Sequence, residues 1–465
     1  MKSIDTKKFF PRRFVDNVKI VTAIAVLIYL MTSLYFMNHF FFNTVINGVD
    51  VSLIAHDETA DIIIKYIKNY SLQLIERDGE TEEILGQDIG LKYNKKNSIY
   101  KIYKAQSSIK WPISLFIDQK YYVKNLFTYN KEFLNERISS LNCLNKVIIE
   151  PQNVRFEYSY GCYEAIEEVA GNKIHNGRLY EAIKKCVSKG QTKLDLDKDL
   201  CYINPKYTLS SEKTSQTQNL LNKHVSTRIT YILRNGNEIL DCSTINKWLS
   251  VDDDLEAVID EKAVRGYVKN LSKNYDTAGA LRNFRTSVNK VVEVEGGYYG
   301  WKMDVDAETK ELIENIKRGE VLEKEPVYAQ KALFRGEDDI GDTYVEISLT
   351  KQYLWFYKAG KLIAQGPIVS GNPNRGNATD LGVYMLNYKE TETTIRGPGY
   401  EAEVNYWMPF NVNTGIHDAG WRYSFGGNIY KKNGSHGCIN VPLYLAKKIY
   451  ENIDEGTPII CYEDE

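Results

Sequence analysis

The sequence predicts a multidomain α+β protein: one transmembrane helix, then two α+β modules, then a mostly β domain at the C-terminal end. Three observations carry this. An uncharged apolar run of 23 residues follows a basic start, a pattern repeats in the middle, and the last third alternates like strands between Gly/Asn-rich turns. At 465 residues the chain exceeds a single core, since domains usually hold about 100–200 residues. Its 43% hydrophobic and 26% charged residues mark a folding chain.

Residues 1–19 carry Lys2, Lys7, Lys8, Arg12, Arg13 and Lys19 against Asp5 and Asp16. Residues 20–42 then run without Asp, Glu, Lys or Arg, long enough to cross a hydrocarbon core of about 30 Å as a helix. The basic flank predicts a cytoplasmic tail at 1–19, a single pass, and everything beyond outside the cell. A cleaved signal peptide would end in a small-x-small site, which Met37-Asn38-His39-Phe40-Phe41-Phe42 does not offer.

Two polar stretches, 210–222 and 323–342, read as linkers. They divide the outer part into 43–209, 223–322 and 343–465. The first two units echo each other. Gly171-Asn172-Lys173 opens a helical pattern closed by Lys189-Gly190, and Gly300-Trp301-Lys302 opens one closed by Arg318-Gly319, at a constant offset of 129. Upstream, Tyr122-Val123-Lys124-Asn125-Leu126 reappears as Tyr267-Val268-Lys269-Asn270-Leu271. Matches in the same order point to one module used twice. Arg228–Leu233 reads as a strand entering a turn, and Glu261–Lys273 as an amphipathic helix. Neither unit offers a nucleophile–base pair, so both read as spacer and binding modules.

In 343–465, Thr343–Leu349 alternates, and Tyr353–Tyr357 and Leu362–Ala364 flank a turn, as in a hairpin. A helix is expected from about Pro442 to Asn452, and a last strand over Thr457–Tyr462.

The net charge of −2 gives no argument for nucleic acid as a partner. The seven cysteines include no C-x-x-C pair, which disfavours a zinc ribbon or thioredoxin-type motif. Cys438 stands out, within Ser435-His436-Gly437-Cys438-Ile439-Asn440. A nucleophilic cysteine needs a base or a positive environment, and His417 and His436 are close in number. Acyl transfer also needs donors for an oxyanion; the N–H groups of Gly437 and Cys438 are candidates, with glycine allowing close approach. On residue chemistry alone two other readings stay open: a buried structural thiol, or a zinc site of His417, His436 and Cys438.

Region 343–465 resembles the L,D-transpeptidase catalytic domain of the YkuD type. The family pattern is His, a spacer, then Ser/Thr-His-Gly-Cys, an apolar residue and Asn. Here His417 precedes Ser435-His436-Gly437-Cys438-Ile439-Asn440 by a spacer of 17 residues. Val369–Asn372 and Thr379–Tyr384 are similar to the family's substrate-side loop, with Asp380 where proline is usual. Regions 90–205 and 223–322 resemble the peptidoglycan-binding modules that often precede this domain, and Asn47–Val51 their usual lead-in.

The resemblance implies that Cys438 attacks the carbonyl between the third residue and D-Ala of a tetrapeptide stem, with His417 as base. A neighbouring stem amine then resolves the thioester into a 3→3 cross-link. Ser435, His436, Gly437 and Asn440 would support the site. Asp418, or a backbone carbonyl, would orient His417, and carbapenems would acylate Cys438. No cofactor or metal is implied. The expected partners are peptidoglycan stems and, through one helix, the cell membrane. An L,D-carboxypeptidase, in which water replaces the amine, fits the same motif, and a non-catalytic wall-binding anchor is the alternative of another class.

Overall fold

The computed structural model describes residues 12–96, 99–336, 338–397 and 400–464, and residues 1–11 of the expected cytoplasmic tail lie outside the described residues. The apolar run forms the helix Arg12–Tyr35. Its window Asp16–Tyr35 has the length and hydropathy of a membrane span, and little of it is buried by protein. The helix ends seven residues before Phe42, where the sequence places its end. The aromatic tail belongs to the next fold instead: Phe36, Phe40 and Phe41 are buried. The Gln106 amide holds this exit, accepting from Phe41 N–H at 3.2 Å and donating to the carbonyls of Phe36 and His39.

The chain divides into two compact units, one running to Arg155 and including Ile166–Ser211, the other comprising Phe156–Ala165 and everything from Glu212 on. In the first unit the helix Thr59–Lys68 leads into a hairpin, Ser71–Ile75 with Thr81–Leu85, and Lys193–Asp195 adds parallel to the first of these strands. Helices Lys131–Ser139 and Asn176–Lys189 complete the module. Leu72, Leu74, Ile84, Leu134, Leu179 and Ile183 form part of its core.

The second module repeats this plan with Glu212–Val225, the hairpin Arg228–Leu233 with Gly236–Leu240, the parallel strand Val321–Lys324, and helices Glu261–Tyr275 and Val305–Arg318. The offset of 129 joins equivalent helices, each stopped by a left-handed glycine, Gly190 and Gly319. The upstream match does not survive. Tyr122–Leu126 is mostly outside regular structure, while Tyr267–Leu271 lies inside a helix whose counterpart is Lys131–Ser139.

Three boundaries differ from expectation. Residues 212–225 are a core helix, not a linker: Thr214, Thr217, Leu221 and Val225 are buried on one face, and Thr217 Oγ1 donates to Leu255 O at 2.6 Å. Threonines at core positions hid the periodicity. The stretch 323–342 is not a free linker either. Lys324 pairs with the buried Glu308 at 3.0 Å, and Arg282 with the buried Asp339 at 2.9 Å. Finally, the hairpin Arg155–Ser159 with Cys162–Ile166 leaves the first module. Tyr163 enters the second core, its N–H donating to Asn222 Oδ1 at 2.6 Å.

Beyond residue 343 two sheets enclose one core. The five-stranded sheet runs in the order Lys361–Pro367, Tyr353–Lys358, Tyr344–Ser348, Pro458–Tyr462, Gly382–Met385. The four-stranded sheet runs Glu390–Gly397, Tyr400–Asn411, Thr414–Asp418, Ile439–Val441. Ile347, Phe356, Met408, Ile416, Ile439 and Ile459 meet between them, and the helix Leu443–Tyr450 packs on the same core through Leu445, Ala446 and Ile449. Cys461 is fully buried in the last strand.

Candidate active site

Cys438 follows a tight turn that leads into Ile439–Val441. Gly437 holds φ at +125°, a conformation that favours glycine. Its carbonyl accepts from Thr379 Oγ1 at 2.7 Å, and Thr379 Oγ1 accepts from Gly371 N–H at 3.0 Å. Asp380, in the proline position, accepts from Asn411 Nδ2 at 3.1 Å, so the loop is tied down without proline. Ser435 locks the turn from inside: its hydroxyl donates to Cys438 O at 2.5 Å and accepts from Gly437 N–H at 3.1 Å. The Gly437 N–H, one of the two expected oxyanion donors, is thus engaged within the turn.

His417 lies on Thr414–Asp418, which pairs in parallel with Ile439–Val441 so that His417 sits opposite Asn440. The loop between them returns the chain to the same side. His417 Nδ1 lies 2.8 Å from the carbonyl of Asp418. A carbonyl only accepts, so Nδ1 carries the proton. Asn440 Oδ1 accepts from Arg422 Nε at 2.9 Å, which assigns Asn440 Nδ2 as the donor to His417 Nε2, also at 2.9 Å. Nε2 is therefore the basic nitrogen. Of the two groups expected to orient His417, it is the Asp418 carbonyl that does so. The Asp418 carboxylate is taken up by Asn405 N–H, Asn405 Nδ2 and Tyr406 N–H.

Cys438 Sγ lies 3.5 Å from Asn413 O. Burial pushes the thiol up to about 11, against the opposing pull of the Gly415 N–H. Burial likewise pushes His417 down to about 4, partly offset by its bond to the Asp418 carbonyl. Both groups are neutral around pH 7. The rings of Trp407 and Trp421 stand 5.8 and 5.9 Å from that of His417, and Ile395, Val404 and Trp407 pack with Cys438.

His417, Ser435, Cys438 and Asn440 line one cavity of about 680 Å³, with the exposed His436 also on its wall. Arg375 and Arg422 supply positive charge to it, and Glu401 and Glu403 negative charge. The zinc reading finds no geometric support. Among the described residues, the three ligand-type side chains that converge are Glu76, Asp78 and Glu80, far along the chain and bonded by Lys146.

Residues 342–461 match the family described as "L,D-transpeptidase catalytic domain", and residues 83–195 and 207–323 match the "Putative peptidoglycan binding domain". The chain belongs to the L,D-transpeptidase family. Comparison with curated proteins finds no match. Among solved structures, this transpeptidase is similar to the Ldtfm–avibactam carbamoyl enzyme, with 32% identity and a TM-score of 0.46 over 54% of this chain and 100% of that one. A mutant of the Enterococcus faecium L,D-transpeptidase gives 32% and 0.45 over the same shares. The E. faecium catalytic domain acylated by ertapenem gives 40% and 0.25, over 26% of this chain and 97% of that one.

Three contributors to the candidate site carry no motif in the sequence. Arg422 holds Asn440 and also donates to Asn433 O at 2.7 Å. Trp407 and Trp421 flank the imidazole. Arg422 and Trp421 lie inside the His417–Cys438 spacer, which was the one available signal. Trp407 is brought there by strand pairing opposite His417.

Proposed function

We propose that this L,D-transpeptidase joins peptidoglycan stems by 3→3 cross-links through a thioester on Cys438. The observation that supports it is the shared cavity, lined by a buried thiol and by an imidazole whose tautomer the Asp418 carbonyl fixes. Cys438 Sγ attacks the carbonyl between the third stem residue and D-Ala, and forms the S–C bond as its proton passes to His417 Nε2, which gives up the bond from Asn440 Nδ2 as it takes the proton. The resting pair is neutral, so the proton moves with the attack and not before it. The Cys438 N–H stabilises the oxyanion. The C–N bond then breaks, and His417 returns the proton to the departing D-Ala amine. A side-chain amine of a second stem attacks the thioester, its proton taken by His417, and the thiol is regenerated. Asn440 and Arg422 position the imidazole, while His436 and Ser435 shape the turn and its rim.

The mixed charge of the cavity suits a substrate bearing both carboxylates and an amine. The helix Asp16–Tyr35 anchors the enzyme in the membrane, with the basic residues 1–19 cytoplasmic and the catalytic domain outside, among its wall substrates. Incubating the enzyme with tetrapeptide-bearing fragments tests the reaction. Dimers with loss of D-Ala are expected from the parent, and neither dimers nor a carbapenem adduct from Cys438→Ala. Tripeptide alone would indicate a carboxypeptidase, and dimers from Cys438→Ala would sink the assignment of the nucleophile.

A further inference from the structure

The two modules are built to one plan, but the first is longer at one place. Between the second hairpin strand and the cap of the next helix it runs from 86 to 129, where the second module runs from 241 to 259, so the first holds about 25 residues more. Much of the surplus forms the helix Tyr100–Ala105, the 3-10 helix Ser108–Leu115 and the strand Gln119–Tyr121.

This extra segment grips the outer end of the Arg12–Tyr35 helix. Tyr29 OH donates to Ile109 O at 2.7 Å, and Trp111 Nε1 donates to Tyr29 O at 3.4 Å. The Trp111 ring stands 6.1 Å from Tyr29 and 6.2 Å from Phe36. Gln119–Tyr121 pairs in parallel with Thr44–Ile46, the first strand after the helix.

Helix geometry then sets the depth. The span Asp16–Tyr35 has 20 residues, and at about 1.5 Å each it covers roughly the 30 Å of a hydrocarbon core. Tyr29 lies roughly 9 Å inward from Tyr35. Shifting the span to end at Tyr29 would move Asp16 and Lys19 from its inner end, where their side chains reach the headgroups, roughly 9 Å deeper into the hydrocarbon, so a helix that spans carries Ile109 and Trp111 below the outer boundary.

The surface of the segment suits that depth. Ile109, Ile113, Leu115, Phe116 and Ile117 are all exposed, Phe116 at 88%. Much of the backbone is bonded internally, with Lys110 N–H to Ser107 O at 2.8 Å, and Phe116 and Ile117 N–H to Ile113 O at 3.1 Å. Asn43 Nδ2 closes Ser114 O at 3.0 Å. Hydrocarbon demands this of any segment it surrounds. The same stretch carries Lys101, Lys104, Lys110 and Lys120, all exposed, and its lone acidic residue over 99–124, Asp118, pairs with Lys120 at 3.0 Å. Long basic side chains reach the headgroup layer while their stems stay in apolar surroundings.

We propose that residues 108–117 insert into the outer leaflet beside the spanning helix, with the lysines on anionic headgroups, so that the first module rides on the bilayer as a fixed body. The inference rests on the membrane-anchor reading above. The full chain carrying Phe116→Trp, reconstituted into phosphatidylcholine/phosphatidylglycerol vesicles with and without brominated acyl chains, tests it; at so exposed a position the substitution spares the core. Relative to the parent, the variant is expected to gain a blue-shifted emission component that brominated lipid quenches. A chain that floats with the vesicles but gains only unquenched, water-exposed emission overturns the insertion and leaves the anchor standing. A chain that does not float with the vesicles overturns the anchor, and the inference with it.

Discussion

At the scale of single residues, the site depends on a relay of neutral hydrogen bonds ending in one charge. Arg422 holds Asn440, Asn440 donates to His417 Nε2, and the Asp418 carbonyl fixes Nδ1. Arg422→Leu removes the charged donor and lets the amide rotate. Carbapenem acylation, followed by intact mass, is expected to slow up to about 100-fold, while the circular dichroism spectrum stays that of the parent; an unchanged rate would remove Arg422 from the relay. The pH response follows from burial. With His417 pushed to about 4 and Cys438 to about 11, acylation should be flat from about pH 5 to 9 and fall only in acid, as the base is protonated. A bell centred near neutrality would contradict this. Stability follows the same group. The folded pKa lies below the unfolded value of about 6.5, so the unfolded chain takes up the proton first. The contribution is complete above about pH 6.5 and is lost as pH falls toward 4, up to about 3 kcal/mol. The buried His224, also lowered by desolvation, acts in the same direction.

At the scale of elements, what was legible depended on whether local pattern and tertiary role agreed. The strand Arg228–Leu233, the helix Glu261–Tyr275 and the C-terminal strand alternate or repeat as their burial requires. The motif around Cys438 was legible because its chemistry is local: Ser435, Gly437 and Cys438 bond one another within a single turn. Arg422 was not legible, because its partner Asn440 is reached only through the parallel pairing of two strands. The helix Glu212–Val225 was hidden because its inward face begins with Thr214 and Thr217, whose burial is made tolerable by bonds such as that of Thr217 Oγ1 to Leu255 O. That helix can be tested directly. Leu221 is fully buried, so Leu221→Ala should destabilise the second unit by about 2–5 kcal/mol in urea unfolding. A change within about 0.5 kcal/mol, as a surface linker would give, argues against a core helix.

At the scale of the whole molecule, the second module and the catalytic domain share one seam. Phe284, Val294, Tyr299 and Trp301 from the module pack with Val383, Ile460 and Tyr462 from the catalytic sheet. Tyr299 N–H donates to Val383 O at 3.0 Å. At its polar end, the fully buried Glu346 carboxylate accepts from Ser287 N–H at 3.0 Å, from the Ser287 hydroxyl, and from Tyr462 OH at 2.7 Å. Side chains from both partners thus complete a common interior, whereas the first unit closes a core of its own around Leu72, Leu134 and Ile183. Cores that share side chains lose them together, and cores that do not melt independently. Calorimetry of the full chain is therefore expected to resolve two transitions from the outer part, not three. Glu346→Ala takes the acceptor from the part-buried Ser287 N–H and from the Tyr462 hydroxyl, at a cost of about 2–4 kcal/mol. For a unit of this size that lowers one transition by about 5–15 °C and leaves the other where it was. A third transition, or a shift confined to the catalytic domain while the second module melts unchanged, would mean that the seam does not couple them. The seam therefore fixes the catalytic cavity in one orientation relative to the module that matches the peptidoglycan-binding family.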